Sequence, residues 1–446
     1  MLQPSRPLSV ATKKSIAIVL IGNFLDFFDL LLATYLAVVL AKVFLPAESE
    51  LAPFIAAFVF CSGFCIRPIA AVFWGYVGDS IGRVPVLIST TFLISLTCLL
   101  IPNIPSYEEW GIASAILFLG LRLLQGFAAG GECIAADVFV VETVHDSNVY
   151  FWSSLVEATC SLGGVVACGV GVLCLSLSPE EGWKLPFYIG SGVAVLGAFA
   201  RRTLKETPDF LKVRQERGEN SRKIRIKEFY ASLDYRNRNI SALLAMYAFP
   251  SCAFYFSLAY IPFLLASKFG MSPTAVMVQA MIVLFVTMCA EILYGFLGLY
   301  IRPFKILRFK LVCLLCILPV FALSTDNFLN YKIITAIQII VLCLGQGLTP
   351  AIPIIVKSFP VVGRYTHILL IWAFSHSLMY FFTGYVCAQI VSFSVLCMTL
   401  FSVAVISLVG TNMFVPKYKI KADNGKLSNL NSTDKSNQMS AKKHEA

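Results

Sequence analysis

Three polar residues recur at three-residue intervals in the first long apolar stretch of the chain: Asn23, Asp26 and Asp29. On a helix this spacing places them on one face. Polar groups within an apolar span are costly and face a bundle interior or a water-filled cavity. Because two neighbouring carboxylates disfavour joint ionisation, Asp26 or Asp29 is expected to bind and release a proton. The alternative is that either acid only satisfies a structural arginine or backbone group.

The fourth apolar stretch carries a second polar face, formed by Arg122, Gln125 and Glu132, which lie within about 80° of one another at 100° per residue. Arg122 suits a substrate carboxylate because its planar fork donates two parallel hydrogen bonds. The alternative is an arginine permanently neutralised by Asp26, Asp29 or Glu132. Glu132 is also a candidate partner in proton coupling.

The composition excludes a water-soluble globule. Of 446 residues, 58% are hydrophobic and 13% are charged, whereas soluble domains carry about 25% charged residues. About twelve stretches reach the roughly 20 residues needed for a membrane span, and only helices are plausible because alternating strand patterns are missing. The sequence therefore predicts an all-α membrane protein, with spans near residues 15–40, 52–77, 85–102, 111–140, 150–175, 185–201, 238–267, 274–299, 309–324, 332–356, 366–390 and 393–415.

The basic residues predict the orientation. With the N-terminus in the cytoplasm, 29 of the 35 Lys and Arg fall on the cytoplasmic side, 4 fall outside, and Arg67 and Arg122 remain in the membrane. This asymmetry predicts that both termini are cytoplasmic. It also explains the net charge of +10 through the anionic lipid leaflet, without a nucleic-acid partner. Lys13 and Lys14 precede a span without a cleavage pattern, which is typical of a retained first helix.

Gly75 and Gly295, Gln125-Gly126 and Gln346-Gly347, and the starts of the two first spans are all separated by about 220 residues. One offset shared by three markers predicts two pseudo-symmetric six-helix halves. The predicted units are 1–202, a cytoplasmic linker 203–236, 237–416, and a disordered tail 417–446.

The most specific local pattern is Gly75-Tyr76-Val77-Gly78-Asp79-Ser80-Ile81-Gly82-Arg83, between the second and third spans. Gly82 suits a tight turn, Asp79 can hold a neighbouring helix N-terminus, and Arg83 can pair with Glu142 at the end of the fourth span. These four residues predict a charge latch that gates the cytoplasmic side.

Other ionisable groups are less specific. Arg67 and Glu157 are each as consistent with an intracellular gate as with a substrate contact, and Glu291 and His376 are the strong titratable candidates of the second half. A single histidine in a span is more often a hydrogen-bonded core residue than a proton relay. Cys313 and Cys316 form a CxxC without a second pair at metal spacing, which indicates packing.

The glycine-rich loop, together with twelve spans, resembles the major facilitator superfamily. Within it the chain resembles the metabolite:proton symporters, which include proline/betaine, 2-oxoglutarate, citrate and shikimate carriers. The similar segments are Gly22-Asn23-Phe24-Leu25-Asp26-Phe27-Phe28-Asp29, Arg67-Pro68, Leu121-Arg122-Leu123-Leu124-Gln125-Gly126, Gly130-Gly131-Glu132, Gly182-Trp183-Lys184-Leu185-Pro186-Phe187, Glu206-Thr207-Pro208, Phe359-Pro360 and Arg364-Tyr365-Thr366.

The resemblance implies proton-driven uptake by alternating access. It places Asp26, Asp29, Arg67, Asp79, Arg83, Arg122 and Glu132 on the family's polar positions. The superfamily often has a basic residue directly after the Asp and the Arg of this loop, where this chain has Ser80 and Val84. The copy of the loop in the second half, near Gly295, has Leu299 in place of the Asp. Asp137 and Glu157 also stand where small or amide residues are expected.

These observations predict a proton-coupled importer of a small zwitterionic or carboxylated metabolite. Arg122, Asn23, Gln125 and Arg67 would bind the solute, and Asp26, Asp29 and Glu132 would couple it to the proton. Six acids against two arginines in the spans favour a proline- or betaine-like osmolyte, with a dicarboxylate such as 2-oxoglutarate as the alternative.

A nutrient sensor on the same scaffold is a further alternative. The chain lacks HExxH, GxSxG and paired His/Asp motifs, so an enzyme is not expected, nor is a metal or cofactor. We expect a monomer in a bacterial inner membrane.

Overall fold

The structure is a computed structural model and describes residues 8–45, 63–144, 148–178, 181–216, 237–323, 330–389 and 392–416. These residues form helices and turns without a strand. The first half of the chain contains α1 (Val10–Tyr35), α2 (Ala37–Phe44), α3 (Arg67–Ser80), α4 (Arg83–Leu100), α5 (Tyr107–Trp110), α6 (Ile112–Thr143), α7 (Val149–Leu177), α8 (Lys184–Arg201) and α9 (Pro208–Glu216).

The second half contains α10 (Asn237–Tyr255), a π-helical turn (Phe256–Tyr260), α11 (Ile261–Phe269), α12 (Pro273–Tyr300), α13 (Pro303–Ala322), α14 (Tyr331–Gly345), α15 (Ile352–Lys357), α16 (Arg364–Gln389) and α17 (Phe393–Met413). The first part of the predicted second span (52–62), most of the linker and the whole tail (417–446) lie outside the described residues.

Eight described helical stretches are long and apolar enough to cross a membrane. Together with the shorter or more polar α3, α8, α13 and α14 they make up a twelve-span bundle, so the predicted all-α, multi-pass fold is confirmed. Large apolar side chains such as Ile69, Leu196 and Phe285 are exposed on its outside. An apolar surface of this kind suits contact with lipid rather than water.

The span predicted near 332–356 is interrupted in the structure. α14 ends at Gly345 and α15 begins at Ile352. Gly347 between them has φ 67°, a left-handed conformation that glycine adopts readily. Pro350 and Pro353 follow, and a proline cannot donate the backbone hydrogen bond that a continuing helix needs. The interruption frees the carbonyl of Gln346, which accepts from Lys310 Nζ at 3.4 Å.

The two halves meet along two helix pairs, α7 with α12 and α3 with α16. The end of the bundle that holds the turn between α3 and α4, the end of α6 and the start of α16 is called here the Arg83 end. Gly78 near this end faces the ring of Tyr365, and an added Cβ would overlap that ring, so glycine permits the close approach of α3 and α16.

Candidate functional site

The polar stripe of α1 is buried in the interior of the bundle, as predicted. Asn23 uses its amide to join helices: Nδ2 donates to the Val156 carbonyl at 2.8 Å and to Cys160 Sγ at 2.9 Å. Both acceptors lie on α7. The structure therefore gives Asn23 a helix-linking contact, and its role toward a solute remains a prediction.

Each aspartate of the stripe accepts a hydrogen bond from a thiol of a neighbouring helix. Cys133 of α6 donates to Asp26 Oδ2 at 3.4 Å, and Cys98 of α4 donates to Asp29 Oδ1 at 3.0 Å. Thiols are weak donors. Two buried carboxylates held mainly by weak donors depend on nearby cations for compensation of their charge.

Arg122 provides that charge for Asp29. The two residues interact electrostatically, and Arg122 Nη1 donates to Gln125 Oε1 at 2.5 Å. Gln125 Nε2 lies 3.7 Å from Cys98 Sγ. The shared face predicted for Arg122 and Gln125 is present, and it closes a ring of contacts through Cys98 and Asp29.

Arg67 lies beside Asp26 and faces the second half of the chain. Its guanidinium carbon is 4.4 Å from the ring centre of Phe64 and 5.1 Å from that of Trp372 on α16. It also interacts electrostatically with Asp26. Its Nε is buried and has no hydrogen-bond partner among the described residues. A guanidinium held by aromatic faces, with donor capacity left over, is suited to an incoming anion.

His376 packs near Arg67 as a core residue. Its Nδ1 lies 3.0 Å from the carbonyl of Trp372, and its ring contacts Trp372, Tyr247 and Tyr380 at centroid distances of 4.5, 6.0 and 5.7 Å. This arrangement agrees with the sequence-based preference for a hydrogen-bonded histidine.

Glu132 forms an ion pair with Arg201, which the sequence-based charge count had placed in a polar loop. Arg201 at the end of α8 is fully buried, and its Nη2 lies 2.5 Å from Glu132 Oε1. Thr90 donates to the other carboxylate oxygen at 2.8 Å, and Arg201 Nη1 donates to the Leu87 carbonyl at 2.6 Å. Arg201 was counted in the polar loop 201–238, but it lies at the end of α8 with its side chain inside the bundle.

Lys310 requires the same correction. It was counted in the basic loop 302–310, but it is fully buried on α13, 3.9 Å from Glu291 Oε1. Its ammonium also lies 4.3 Å from the ring centre of Tyr294. Glu291 Oε2 accepts from Thr349 at 2.6 Å. Outside the network around Arg83, the interior of the bundle thus holds Arg201 and Lys310 in addition to the two arginines predicted from the sequence.

The ion pair expected at the Arg83 end is present. Arg83 is fully buried and donates to Glu142 with Nε at 3.1 Å and Nη2 at 3.0 Å. Its Nη1 reaches Asp79 Oδ1 at 3.0 Å. Gly82 has φ 142°, which a residue with a side chain rarely adopts, so glycine makes this turn feasible. The four predicted gating residues therefore lie together.

Residues that the sequence reading did not assign extend this network across both halves. Arg364 at the start of α16 lies 3.1 Å from both Glu142 and Asp209. Asp79 Oδ2 accepts from the backbone and hydroxyl of Thr366, at 2.9 and 2.6 Å. Thr207 donates to Glu142 at 2.6 Å. Three of these residues belong to two motifs noted in the sequence, Glu206-Thr207-Pro208 and Arg364-Tyr365-Thr366. The motifs were therefore the feature of the sequence that could have identified them.

Among the described residues, no three His, Cys, Asp or Glu side chains are arranged to hold a metal ion. The functional arrangement of the bundle is thus a set of buried carboxylates paired with arginine or lysine, with a bonded network that closes the Arg83 end.

The Major Facilitator Superfamily model matches residues 19–382 of this chain. The citrate-proton symporter of Salmonella typhi is 36% identical over 247 residues, which cover 54% of this chain and 55% of the relative. The glycine betaine/proline/ectoine/pipecolic acid transporter OusA of Dickeya dadantii is 36% identical over 204 residues, 44% of this chain and 41% of the relative. The chain spans about half the length of these two relatives.

The proline/betaine transporter of Escherichia coli K12 is 28% identical over 373 residues, 79% of this chain and 73% of the relative. Solved structures share the fold. The proton:xylose symporter XylE bound to 6-bromo-6-deoxy-D-glucose superposes with a TM-score of 0.71 at 16% identity, covering 92% of this chain and 97% of XylE. The transporter FucP in the outward conformation gives 0.67 at 14% identity, covering 91% and 99%.

The chain therefore belongs to the Major Facilitator Superfamily. The membership agrees with the resemblance seen in the sequence and with two six-helix halves. It also confirms that the chain is not an enzyme.

Proposed function

We propose that this chain is a proton-coupled importer, which carries a small carboxylated or zwitterionic solute through the bundle by alternating access. The observation that carries the proposal is that two buried aspartates lie within electrostatic range of two buried arginines, Asp26 of Arg67 and Asp29 of Arg122. The activities of the relatives, a citrate-proton symporter and a proline/betaine transporter, support the same class of activity.

Charge compensation gives the physical reason for coupling. A solute carboxylate that binds Arg67 brings a second negative charge beside Asp26. Two anions sharing one cation in a desolvated site are unfavourable. If Asp26 binds a proton as the solute carboxylate arrives, the charge beside Arg67 is unchanged. The solute and the proton then stabilise the same state and move together.

The remaining predicted residues are assigned around this exchange. Arg122 lies within electrostatic range of Arg67, and the two guanidiniums together favour an anion. Gln125 holds Arg122 in place, and Asn23 holds α1 against α7. Glu132 faces Asp26 while bound to Arg201, so we assign it to coupling through its charge on Asp26. Asp79, Gly82, Arg83 and Glu142 serve as the gate at the Arg83 end.

The inference about the charge of the solute changes once Arg201 and Lys310 are counted. Outside the network at the Arg83 end, the six acids face four buried cations rather than two, which weakens the argument for a positively charged group on the solute. A proline- or betaine-like osmolyte remains the leading candidate. The nearness of Arg67 and Arg122 favours a dicarboxylate as the second candidate, because each guanidinium can hold one carboxylate.

We assign the Arg83 end to the cytoplasm of a bacterial inner membrane, with both termini on that side and one chain as the transporting unit. The division into 1–202, 203–236, 237–416 and 417–446 is retained as part of the proposal. The excess of Lys and Arg in the loops of this end supports the orientation.

Reconstitution into liposomes with an imposed pH gradient tests the proposal. Labelled proline, betaine, 2-oxoglutarate, citrate and shikimate are offered singly and in competition. We expect accumulation of one class of solute that a protonophore abolishes. Binding without accumulation would contradict transport and favour the sensor reading, and accumulation that survives the protonophore would contradict proton coupling.

A further inference from the structure

Three buried or partly buried acids lie on three helices near one buried cation. Asp137 lies on α6, Glu157 on α7 and Glu291 on α12, and Lys310 on α13 is the cation that faces Glu291 and Glu157. Asp137 instead faces Glu157, another acid. Its Oδ1 is buried and has no hydrogen-bond partner among the described residues. The residue is only 6% exposed, so water does not readily replace that partner. The other three membrane acids, Asp26, Asp29 and Glu132, each face an arginine.

We propose that Asp137 and Glu157 form a second proton-binding site, which passes the proton between Asp26 and the Arg83 end of the bundle. This inference rests on the proposed proton coupling and adds the route by which the proton leaves. Neither residue stands where the family resemblance predicts an acid, so the route is a property of this chain.

The positions of the pair along their helices support a relay. Asp137 is four residues from Cys133, which donates to Asp26, so the two share a face of α6 about 6 Å apart along the axis. Five residues further lies Glu142 of the gate, about 7.5 Å along the axis and about 140° around it. On α7, Glu157 is likewise one turn from Cys160, which accepts from Asn23. The pair therefore lies one helical turn from the α1 stripe, on the side of the gate.

Charge explains why the site holds a proton. If Asp137, Glu157 and Glu291 were all ionised, Lys310 would leave two negative charges uncompensated within the bundle. Two neighbouring carboxyl groups reduce that cost by sharing a proton, and they then titrate as a pair. The ionisable groups that face the pair are Glu291 from α12, Lys310 from α13, Tyr247 from α10, and Cys160 from α7. A proton arriving from Asp26 thus meets a site with spare negative charge.

The test compares net uptake with exchange in proteoliposomes that contain a pH-sensitive dye. Asp137→Asn and Glu157→Gln are expected to slow solute-linked proton movement and proton-driven uptake by about tenfold or more. Solute exchange without a gradient should be unchanged, because no net proton transfer is needed. Asp137→Glu should restore uptake with a displaced pH profile. Glu181→Gln is the control, since Glu181 is an exposed acid paired with Lys184.

The outcomes separate this inference from the proposed function. A wild-type protein that moves solute without protons overturns both. A coupled wild type together with fully coupled Asp137→Asn and Glu157→Gln variants overturns only the relay. A loss of exchange and solute affinity in folded variants also overturns it, because the pair would then bind the solute itself. Should Asp137→Asn fail to fold, the partly exposed Glu157 decides the question through Glu157→Gln alone.

Discussion

Arg201 and Glu132 form an ion pair in which Nη2 lies 2.5 Å from Oε1 and neither side chain is more than 1% exposed. The pair joins α8 to α6 beside the α1 stripe. Removing one partner of a buried pair leaves an uncompensated charge and costs about 3–5 kcal/mol, whereas replacing both by apolar groups is often neutral. This asymmetry gives a direct test of whether the pair is structural.

Arg201→Met should therefore destabilise the purified protein by about 3–5 kcal/mol, and Arg201→Met combined with Glu132→Leu should recover most of the loss. Thermal unfolding in detergent measures both. If the double variant is stable but transports without proton coupling, Glu132 acts in coupling as predicted from the sequence. A single variant as stable as the wild type would contradict the buried pair.

Asp26→Asn should abolish proton-driven accumulation and spare exchange between equal solute concentrations. The amide keeps the size and polarity of the side chain but cannot exchange a proton. Counterflow and gradient-driven uptake are measured in the same vesicles, with Glu181→Gln as the control. If Asp26→Asn accumulates solute as well as the wild type does, Asp26 is not the coupling residue and Asp29 is the next candidate.

Arg67→Lys and Arg122→Lys separate the two candidate anion contacts. A charged hydrogen bond contributes about 1.5–3 kcal/mol, so loss of the carboxylate contact should raise the apparent solute constant about 10- to 100-fold. Lysine keeps the charge and loses the planar fork. We expect the larger effect at Arg67, since Arg122 already donates to Gln125. Unchanged affinity in both variants would leave these arginines with a structural role.

The sequence predicted the residues whose pattern is local. The α1 stripe follows from three-residue spacing, and the Arg83–Glu142 pair follows from a loop motif and a helix end. The partners of Arg201 and Lys310 lie on other helices, and both cations stand at the edge of a basic stretch, where charge counts assign them to a loop. The interruption at Gln346 was missed because apolar content alone fixes neither φ at Gly347 nor the end of a helix.

The network at the Arg83 end allows a final prediction about conformational state. Arg364 and Thr366 of the second half bond to Glu142 and Asp79 of the first, so these contacts hold the halves together at this end. Arg364→Gln removes the charge that Glu142 and Asp209 share, and should shift the protein toward a state open at the Arg83 end. A state change of this kind slows transport, because the return step must rebuild the lost contacts.

The thiol of Cys133 reports that shift, since it is partly exposed beside Asp26. Alkylation by a bulky water-soluble maleimide, followed by mass spectrometry of the peptide that contains Cys133, should be faster in Arg364→Gln than in the wild type. The amount of Cys133 that is labelled after denaturation gives the maximum to which the rates of both proteins are normalised. Equal rates at Cys133 in both proteins, with transport intact, would show that Arg364 does not hold the gate, because an opened end must expose the centre of the bundle.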